Sequence, residues 1–425
     1  MSDDKRVIIV GAGPAGLVTA LGLAKKAIQV TLIDQDSGVN DSPRANAYLP
    51  STIKVLDELG VLDDAKAAAV VGYEYQLRFA LTGNIGRLNH HSIEGLTPYA
   101  YILFFGQHVL AEILLKHLNE LPNVTISWNT AFTGVEQHAD GVRVTVNTPA
   151  GPQTLEGAWL IGADGARSSV RRAIGVEFDG FTWPECFMAT NVYYDFERHG
   201  YSYATMIADK ENWAVITKID SQNLWRVAYQ ESSEVAEATR VARIPEHYRR
   251  YIPEGQPYEL ARANSYRVHQ RAATSFRVGR VLLAGDAAHS TNPIGGFGFT
   301  SGVQDADALV KYLPAFMTGE AAEDILDWYA YERRRVFLKV ANPTAIEMKR
   351  RLQETDPAVR VQDEKNFFAL MADRKQVEEA LMSIFLMSGR PYQPDWKTTL
   401  LKQDQAISTT AATPIAGAAA TAKSH

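Results

Sequence analysis

The string Gly11-Ala12-Gly13-Pro14-Ala15-Gly16 constrains the fold of this chain more than any other feature in it. It follows the β-rich run Val7-Ile8-Ile9-Val10 and precedes Leu17, Ala20, Leu21 and Ala24, which recur at helical spacing ahead of a second β run, Val30-Thr31-Leu32-Ile33. Strand, glycine turn, helix and strand form a β-α-β unit. In such a unit Gly11 permits the tight turn, Gly13 lets the backbone approach a pyrophosphate, and Gly16 lets the helix pack on the strand, while the helix N-terminus attracts the anion. Ala15 belongs to the same cradle. Asp34 ends the second strand, about 20 residues beyond Gly13, where a carboxylate accepts hydrogen bonds from a ribose. A bound dinucleotide is therefore predicted, with FAD and NAD undistinguished by this unit.

Composition narrows the remaining options. The chain has 425 residues, 46% hydrophobic and 22% charged, enough for a large core and more than one domain. Its net charge of −6 comes without a block of Lys or Arg, so no nucleic acid partner is expected. The N-terminal residues carry no apolar leader, and no apolar run of about 20 residues occurs, so no membrane partner and a cytoplasmic location are expected. The single cysteine, Cys186, excludes an intramolecular disulfide or a paired redox centre and reads as a small buried residue. No metal-ligand pattern is visible.

The organisation reads as interleaved. Residues 1–71 form a first part of the nucleotide domain and 72–105 an inserted sheet segment of the substrate domain. Residues 106–180 return to the nucleotide domain, with a helix over 108–121, strands around Val124–Trp128 and Val142–Val146, a turn at Ala139-Asp140-Gly141, and a strand at Trp159-Leu160-Ile161. Residues 181–275 alternate aromatic and β-branched positions and read as a substrate-binding antiparallel sheet. Residues 276–320 give the third nucleotide-binding part, with a strand at Val281–Ala284 and a helix over 301–313. Residues 321–405 read as helices, and 406–425, rich in Ala and Thr, as a disordered tail.

Two further motifs follow the fingerprint in order: Gly162-Ala163-Asp164-Gly165, and Gly285-Asp286-Ala287-Ala288-His289 followed by Pro293-Ile294-Gly295-Gly296-Phe297-Gly298-Phe299-Thr300. With these, residues 5 to 390 resemble the group A, single-component FAD-dependent aromatic monooxygenases of the para-hydroxybenzoate hydroxylase type. The resemblance implies an α/β fold, a Rossmann-like FAD-binding domain interleaved with an antiparallel-sheet substrate domain, plus C-terminal helices. It implies that Gly285 and Asp286 bond the ribityl chain of FAD, that Asp164 and Gly165 serve FAD and the nicotinamide cofactor, and that Arg44 and Gln107 also contact FAD. Gly296, Gly298 and Phe299 would present backbone N–H groups and a helix N-terminus to the flavin ring, beside Pro293. The family commonly has Asn where this chain has Thr300. His289 could be catalytic, but reads rather as a histidine held in the core or at the surface of the flavin domain. Ser42-Pro43-Arg44-Ala45, Phe178-Asp179-Gly180, Tyr194-Asp195-Phe196, Leu224-Trp225-Arg226-Val227 and Tyr266 to Ala272 are similar to the para-nitrophenol 4-monooxygenase branch.

The implied reaction is hydroxylation of a phenolic ring by O2 through a flavin C4a-hydroperoxide, with NADPH or NADH as transient reductant. Only one strand-linked dinucleotide fingerprint occurs, so the reductant has no Rossmann domain of its own. Arg267, His269 and Arg271 are candidate contacts to it or to substrate. A phenolate is the better nucleophile, so a pocket donor or base is expected. Tyr229, His269, Arg226 and Pro293 are the candidate catalytic residues, and Tyr193, Tyr201, Tyr203 and Tyr229 the candidate substrate contacts. Alternation along Leu224–Tyr229 places Trp225, Val227 and Tyr229 on one face and Arg226 on the other. A hydroxypyridine or hydroxybenzoate substrate is the alternative, and a homodimer the assembly considered. A flavin-dependent halogenase is disfavoured because no Trp-x-Trp occurs. A reductase or dehydrogenase without oxygen insertion, or a flavin-binding regulator, would be separated by product labelling and NAD(P)H oxidation.

Overall fold

The computed structural model describes residues 5–40 and 44–401. Ser42 and Pro43, and the predicted tail at 406–425, lie outside the described residues.

Two large sheets dominate. The first has six strands in the order Arg277–Val278, Val281–Leu283, Trp159–Gly162, Val7–Val10, Val30–Ile33 and Val124–Ser127, and all neighbours but the first pair are parallel. Its central strands are continuous apolar runs because both faces are covered. The helices Pro14–Lys25, Gln107–Asn119 and Phe297–Met317 contribute to the same core. The strand at 124–127 thus ends as an edge strand of this sheet. The Val142–Thr148 strand instead sits in a separate antiparallel sheet between Ala131–Gln137 and Gly151–Gly157. Those two flanking strands were not anticipated, since most of their residues are half-buried or exposed and their few apolar positions do not alternate clearly.

The second sheet has eight strands, ordered His289–Ser290, Glu259–Ala273, Phe178–Tyr193, Leu224–Ser232, Ala214–Lys218, Ala204–Ala208, Glu74–Phe79 and Ile85–Asn89. Two strands of 16 and 15 residues, Phe178–Tyr193 and Glu259–Ala273, run antiparallel along its length. Their register breaks between Thr182 and Cys186, where Pro184 has no N–H to give to a ladder. The 72–105 excursion has two destinations. Glu74–Phe79 and Ile85–Asn89 join the large sheet, whereas Ile102–Phe104 becomes the middle strand of a three-stranded sheet, antiparallel to Ala47–Tyr48 on one side and Val70–Gly72 on the other.

Strand alternation gives the second sheet two distinct faces. On one, Met188, Val192, Trp225, Val227 and Tyr229 pack under Ile244, Tyr248, Tyr251 and Ile252. On the other, Leu77, Phe79, Phe187 and Met206 pack against Ile294 and Leu352, so this is the face that meets the glycine loop and the C-terminal helices. Those helices run over Asp324–Val336, Asn342–Gln353, Pro357–Ala372 and Arg374–Met382, with a π turn at Phe337–Ala341. No helix among the described residues is long and apolar enough to cross a membrane.

Candidate active site

The three motifs separated in sequence stand side by side in space because three adjacent parallel strands deliver them. Val7–Val10 ends at Gly11, Trp159–Gly162 leads to Asp164, and Val281–Leu283 leads to Gly285. Ligands of open parallel sheets bind beyond such carboxyl ends. The approach is close enough to require glycine. Gly11 has φ +106°, and a Cβ there would lie 2.3 Å from the Ala163 carbonyl oxygen. At Gly16 a Cβ would come within 1.9 Å of the Gly11 carbonyl, and at Gly285, φ +60°, within 2.9 Å of the Ala15 methyl group. At Gly13, by contrast, a Cβ would meet nothing within 4 Å, so the backbone there is open to a ligand.

These features fit FAD. The helix Pro14–Lys25 has Pro at its first position and no side-chain cap or acidic residue in its first turn, which leaves its N-terminal N–H groups for an anion. Asp34 accepts from the N–H of Ala12 at 2.6 Å and of Asp36 at 2.8 Å, and carboxylate lone pairs remain for a ribose. Arg44 and Gln107 lie on touching segments, since the Gln107 N–H donates to the Ala45 carbonyl at 3.1 Å. Asp286 is solvent-accessible but ringed by protein atoms. Desolvation raises its pKa, opposed by His289 and Arg44. Gly295 and Gly296, at φ +80° and +73°, turn the chain into the helix Phe297–Met317, which also begins without a side-chain cap. Gly298 lies in its first turn, and Phe299 packs edge-on to Tyr48.

Asp164 organises the turn that carries it. Its carboxylate accepts from Ser168 Oγ at 2.5 Å and from the N–H groups of Ser169 and Val170 at 2.7 and 3.1 Å, holding the Gly165 turn against the helix Ser169–Ala173. Arg171 then ties two motifs together, donating to the Ala166 carbonyl at 2.8 Å and to the Ala287 carbonyl at 2.7 Å. Asp305 is the matching anchor on the other side. Fully buried, it accepts from the N–H of Gly285 at 3.0 Å, Nε2 of His289 at 2.6 Å and Nε of Arg333 at 2.8 Å. His289 stacks on Phe337 inside the core. Sequence reasoning found neither Arg171 nor Asp305, because their partners are remote in the chain.

The substrate-side candidates are divided between the two faces of the second sheet. Arg226 lies on the face toward the glycine loop. Its Nε donates to Asn191 Oδ1 at 2.7 Å, and Nη1 donates to the Arg44 carbonyl. Burial lowers its pKa to about 10, with the Tyr266 charge acting the other way. Tyr266 shares this face, cross-strand from Phe187, and burial raises its hydroxyl to about 12 against the pull of Arg226 and Arg44. In sequence Tyr266 stood only within a branch-specific string; the sheet puts it on the same face as Arg226 but further along the strands, opposite Phe187 where Arg226 is opposite Asn191. Pro293 is exposed at the start of the glycine loop. Gln270 pins that loop, donating to Thr291 Oγ1 at 2.6 Å and accepting from the Asn292 N–H at 3.0 Å.

The expected tyrosines do not join this group. Tyr229 points into the opposite layer, stacked on His247 at 4.3 Å, because alternation sends it with Trp225 and Val227. Tyr201 and Tyr203 pack against that same layer, Tyr201 under the Arg78 guanidinium and Tyr203 beside Lys218. Tyr193 is exposed at a strand end. His269 is also on the far side of its strand from Tyr266, with Nδ1 2.8 Å from Thr182 Oγ1. Burial, then the charges of Arg271, Arg167 and Arg267, depress its pKa, which leaves it neutral at pH 7 and inside a cationic cluster.

A parallel-sheet nucleotide cradle and a second sheet with a half-buried cation on the face toward the glycine loop define a flavin-dependent oxidoreductase. The FAD binding domain family matches residues 4–344. Para-nitrophenol 4-monooxygenase of Pseudomonas sp. strain WBC-3 is 42% identical over 388 residues, 90% of this chain and 96% of that protein. The 6-hydroxy-3-succinoylpyridine 3-monooxygenase HspB of Pseudomonas putida strain S16 is 40% identical over 358 residues, 84% and 91% of the two chains. The crystal structure of p-nitrophenol 4-monooxygenase PnpA from Pseudomonas putida DLL-E4 superposes with a TM-score of 0.88 at 41% identity, covering 91% of this chain and 98% of that one. The chain belongs to the FAD binding domain family and is an FAD-dependent monooxygenase with NAD(P)H as reductant.

Proposed function

We propose that this enzyme hydroxylates a phenolic ring, binding it as the phenolate between the glycine loop 293–298 and the Arg226 face of the second sheet. The observation that carries the reading is Arg226: a guanidinium oriented by Asn191 and the Arg44 carbonyl, desolvated, with no carboxylate among its hydrogen-bond partners. Such a cation stabilises the ionised form of a ring hydroxyl, and ionisation activates the ring toward electrophiles. Tyr266, kept protonated by burial, donates a hydrogen bond to the same oxygen. FAD held by the Gly11–Gly16, Asp34 and Gly285–Asp286 cradle would supply the electrophilic oxygen, drawn from O2 at the expense of NAD(P)H.

The chain's own residues then orient the ring and keep water out. Phe187, Met206, Val215, Ile294 and Met348 make the surroundings apolar, which limits unproductive loss of the oxidant. Arg267, His269, Arg271 and Arg167 form the cationic surface that receives the reductant's phosphates. In domain terms, 1–71, 106–180 and 276–320 work as the FAD-binding part, 72–105 and 181–275 as the substrate part, and 321–405 as the helical cover. A cytoplasmic location is consistent with NAD(P)H use, and a homodimer is the proposed assembly.

The substrate panel consists of nitrophenols, halophenols, hydroxybenzoates and hydroxypyridines, read by NAD(P)H oxidation and by label from 18O2 in the product. Arg226→Gln is expected to lower kcat/KM for the accepted phenol tenfold to a hundredfold, the loss of one charge-assisted contact of about 1.5–3 kcal/mol. Unlabelled product, or an Arg226→Gln enzyme with unchanged kcat/KM, overturns the reading.

A further inference from the structure

The outer face of the second sheet, turned away from the glycine loop, carries a concavity for which ring hydroxylation has no use. It measures ≈270 Å³ and is lined by Arg78, His199, Tyr201, Arg249, Arg250 and the turn Tyr251–Pro253. No carboxylate lines it. Its cations come from two remote segments: Arg78 from the strand Glu74–Phe79, and Arg249 and Arg250 from the turn after the short helix Ile244–Tyr248.

Arg78 is held in a defined pose. Its Nε donates to Gln76 Oε1 at 2.8 Å, its Nη2 donates to the His199 carbonyl at 3.1 Å, and the guanidinium plane lies over the Tyr201 ring at 3.7 Å. Desolvation lowers its pKa, with Tyr201 acting the other way and Arg87 adding to the fall. Arg249 and Arg250 project into solvent and pair with no acid among the described residues. Carboxylates on neighbouring segments are engaged elsewhere: Asp209 accepts from the N–H groups of Glu211 and Asn212, Glu197 takes Lys218, and Glu74 takes Arg87 and Ser202. The chain as a whole has a net charge of −6, yet these three arginines gather with no carboxylate lining the concavity. Their mutual repulsion is relieved by an anion that several guanidinium groups approach at once.

We propose that this concavity is a second anion site, independent of the hydroxylation centre, for a small molecule bearing a phosphoryl group. The tetrahedral oxygens of a phosphoryl group accept from donors on different sides, as the Arg78 and Arg249–Arg250 arrangement requires, whereas a planar carboxylate matches a single guanidinium fork. The remaining space lies against Tyr201 and Tyr251, so an organic portion of the ligand has an apolar wall to rest on. Binding there bridges the strand Glu74–Phe79 to the turn that closes the Tyr248–Tyr251 layer, and its readout is stability of that layer rather than turnover.

The test is calorimetric titration of the FAD-loaded enzyme with inorganic phosphate at constant ionic strength, with chloride and malonate as comparison anions. Saturable phosphate binding is expected, at least tenfold weaker in Arg249→Ala/Arg250→Ala and in Arg78→Gln, and unchanged in Arg267→Ala, which removes a charge from the reductant cluster. Flavin absorbance and basal NAD(P)H oxidation of the Arg249→Ala/Arg250→Ala enzyme, expected to match the parent, show that it is folded. Equal binding in parent and double variant, loss of binding in Arg267→Ala instead, or a response shared with chloride overturns the site. Malonate binding as tightly as phosphate overturns the phosphoryl preference.

Discussion

Replacing Asp305 with asparagine removes the charge on which the third motif depends. One carboxylate oxygen takes Nε of Arg333 at 2.8 Å, and the other takes the Gly285 N–H at 3.0 Å and Nε2 of His289 at 2.6 Å, with no solvent access. Burial alone would raise the Asp305 pKa, but the charges and hydrogen bonds of His289 and Arg333 outweigh it and hold the carboxyl below its ordinary range. An amide has one acceptor where the carboxylate has two, so one set of donors would face an NH2 group, and Arg333, 2% exposed, would keep a buried charge without its partner. Breaking a buried pair in this way costs about 3–5 kcal/mol. Losing the hydrogen bond to Gly285 adds about 1 kcal/mol and frees the loop that carries Asp286.

Urea unfolding, followed by tryptophan fluorescence and flavin absorbance on FAD-loaded and FAD-stripped protein, measures both effects. Expected are a loss of about 4–6 kcal/mol in the stripped protein and a weaker hold on FAD. An Asp305→Leu/Arg333→Met protein, which removes both charges, recovers part of the loss. The pH dependence follows in sign: a depressed folded-state pKa gives stability that is complete above the unfolded value of about 3.9 and disappears as pH falls through the folded one. An Asp305→Asn protein within about 1 kcal/mol of the parent, with normal FAD uptake, refutes the reasoning.

Other substitutions separate the remaining assignments. Gly11→Ala places a Cβ 2.3 Å from the Ala163 carbonyl at a positive φ, and the purified protein is expected to retain little flavin; a full complement of FAD contradicts the shared-turn argument. Tyr266→Phe is expected to reduce kcat/KM for the phenol about tenfold, one hydrogen bond's worth, while Tyr229→Phe leaves it unchanged, and the reverse pattern would put the pocket on the other face of the sheet. Arg267→Ala is expected to raise KM for NAD(P)H with kcat for saturating reductant preserved; an effect on phenol KM alone would reassign the cluster.

The fingerprint, its strand and helix, Asp34 and the two later motifs could be read from residue order because each is a local pattern: a short β-branched run, a turn only glycine fits, an apolar repeat of helical period. The long second sheet was legible for the same reason. The strands Ala131–Gln137 and Gly151–Gly157 were not, since half-exposed residues leave no alternation to detect. Arg171 and Asp305 were invisible as anchors, their partners lying 116 and up to 28 positions away.

Alternation already divided Arg226 from Tyr229, and the choice between them lay beyond it. Backbone geometry dictates that neighbours along a strand face opposite ways, a relation any pleated segment obeys alone. Which side meets the flavin cleft depends on long-range packing: Ile244, Tyr248 and Tyr251 cover the Tyr229 side, while Ile294 and Leu352, brought from the far end of the chain, cover the other. Residue order set the chemistry available at the three motifs. Packing of distant segments selected the side chains that face it, because burial is a property of the whole surface and not of any one strand.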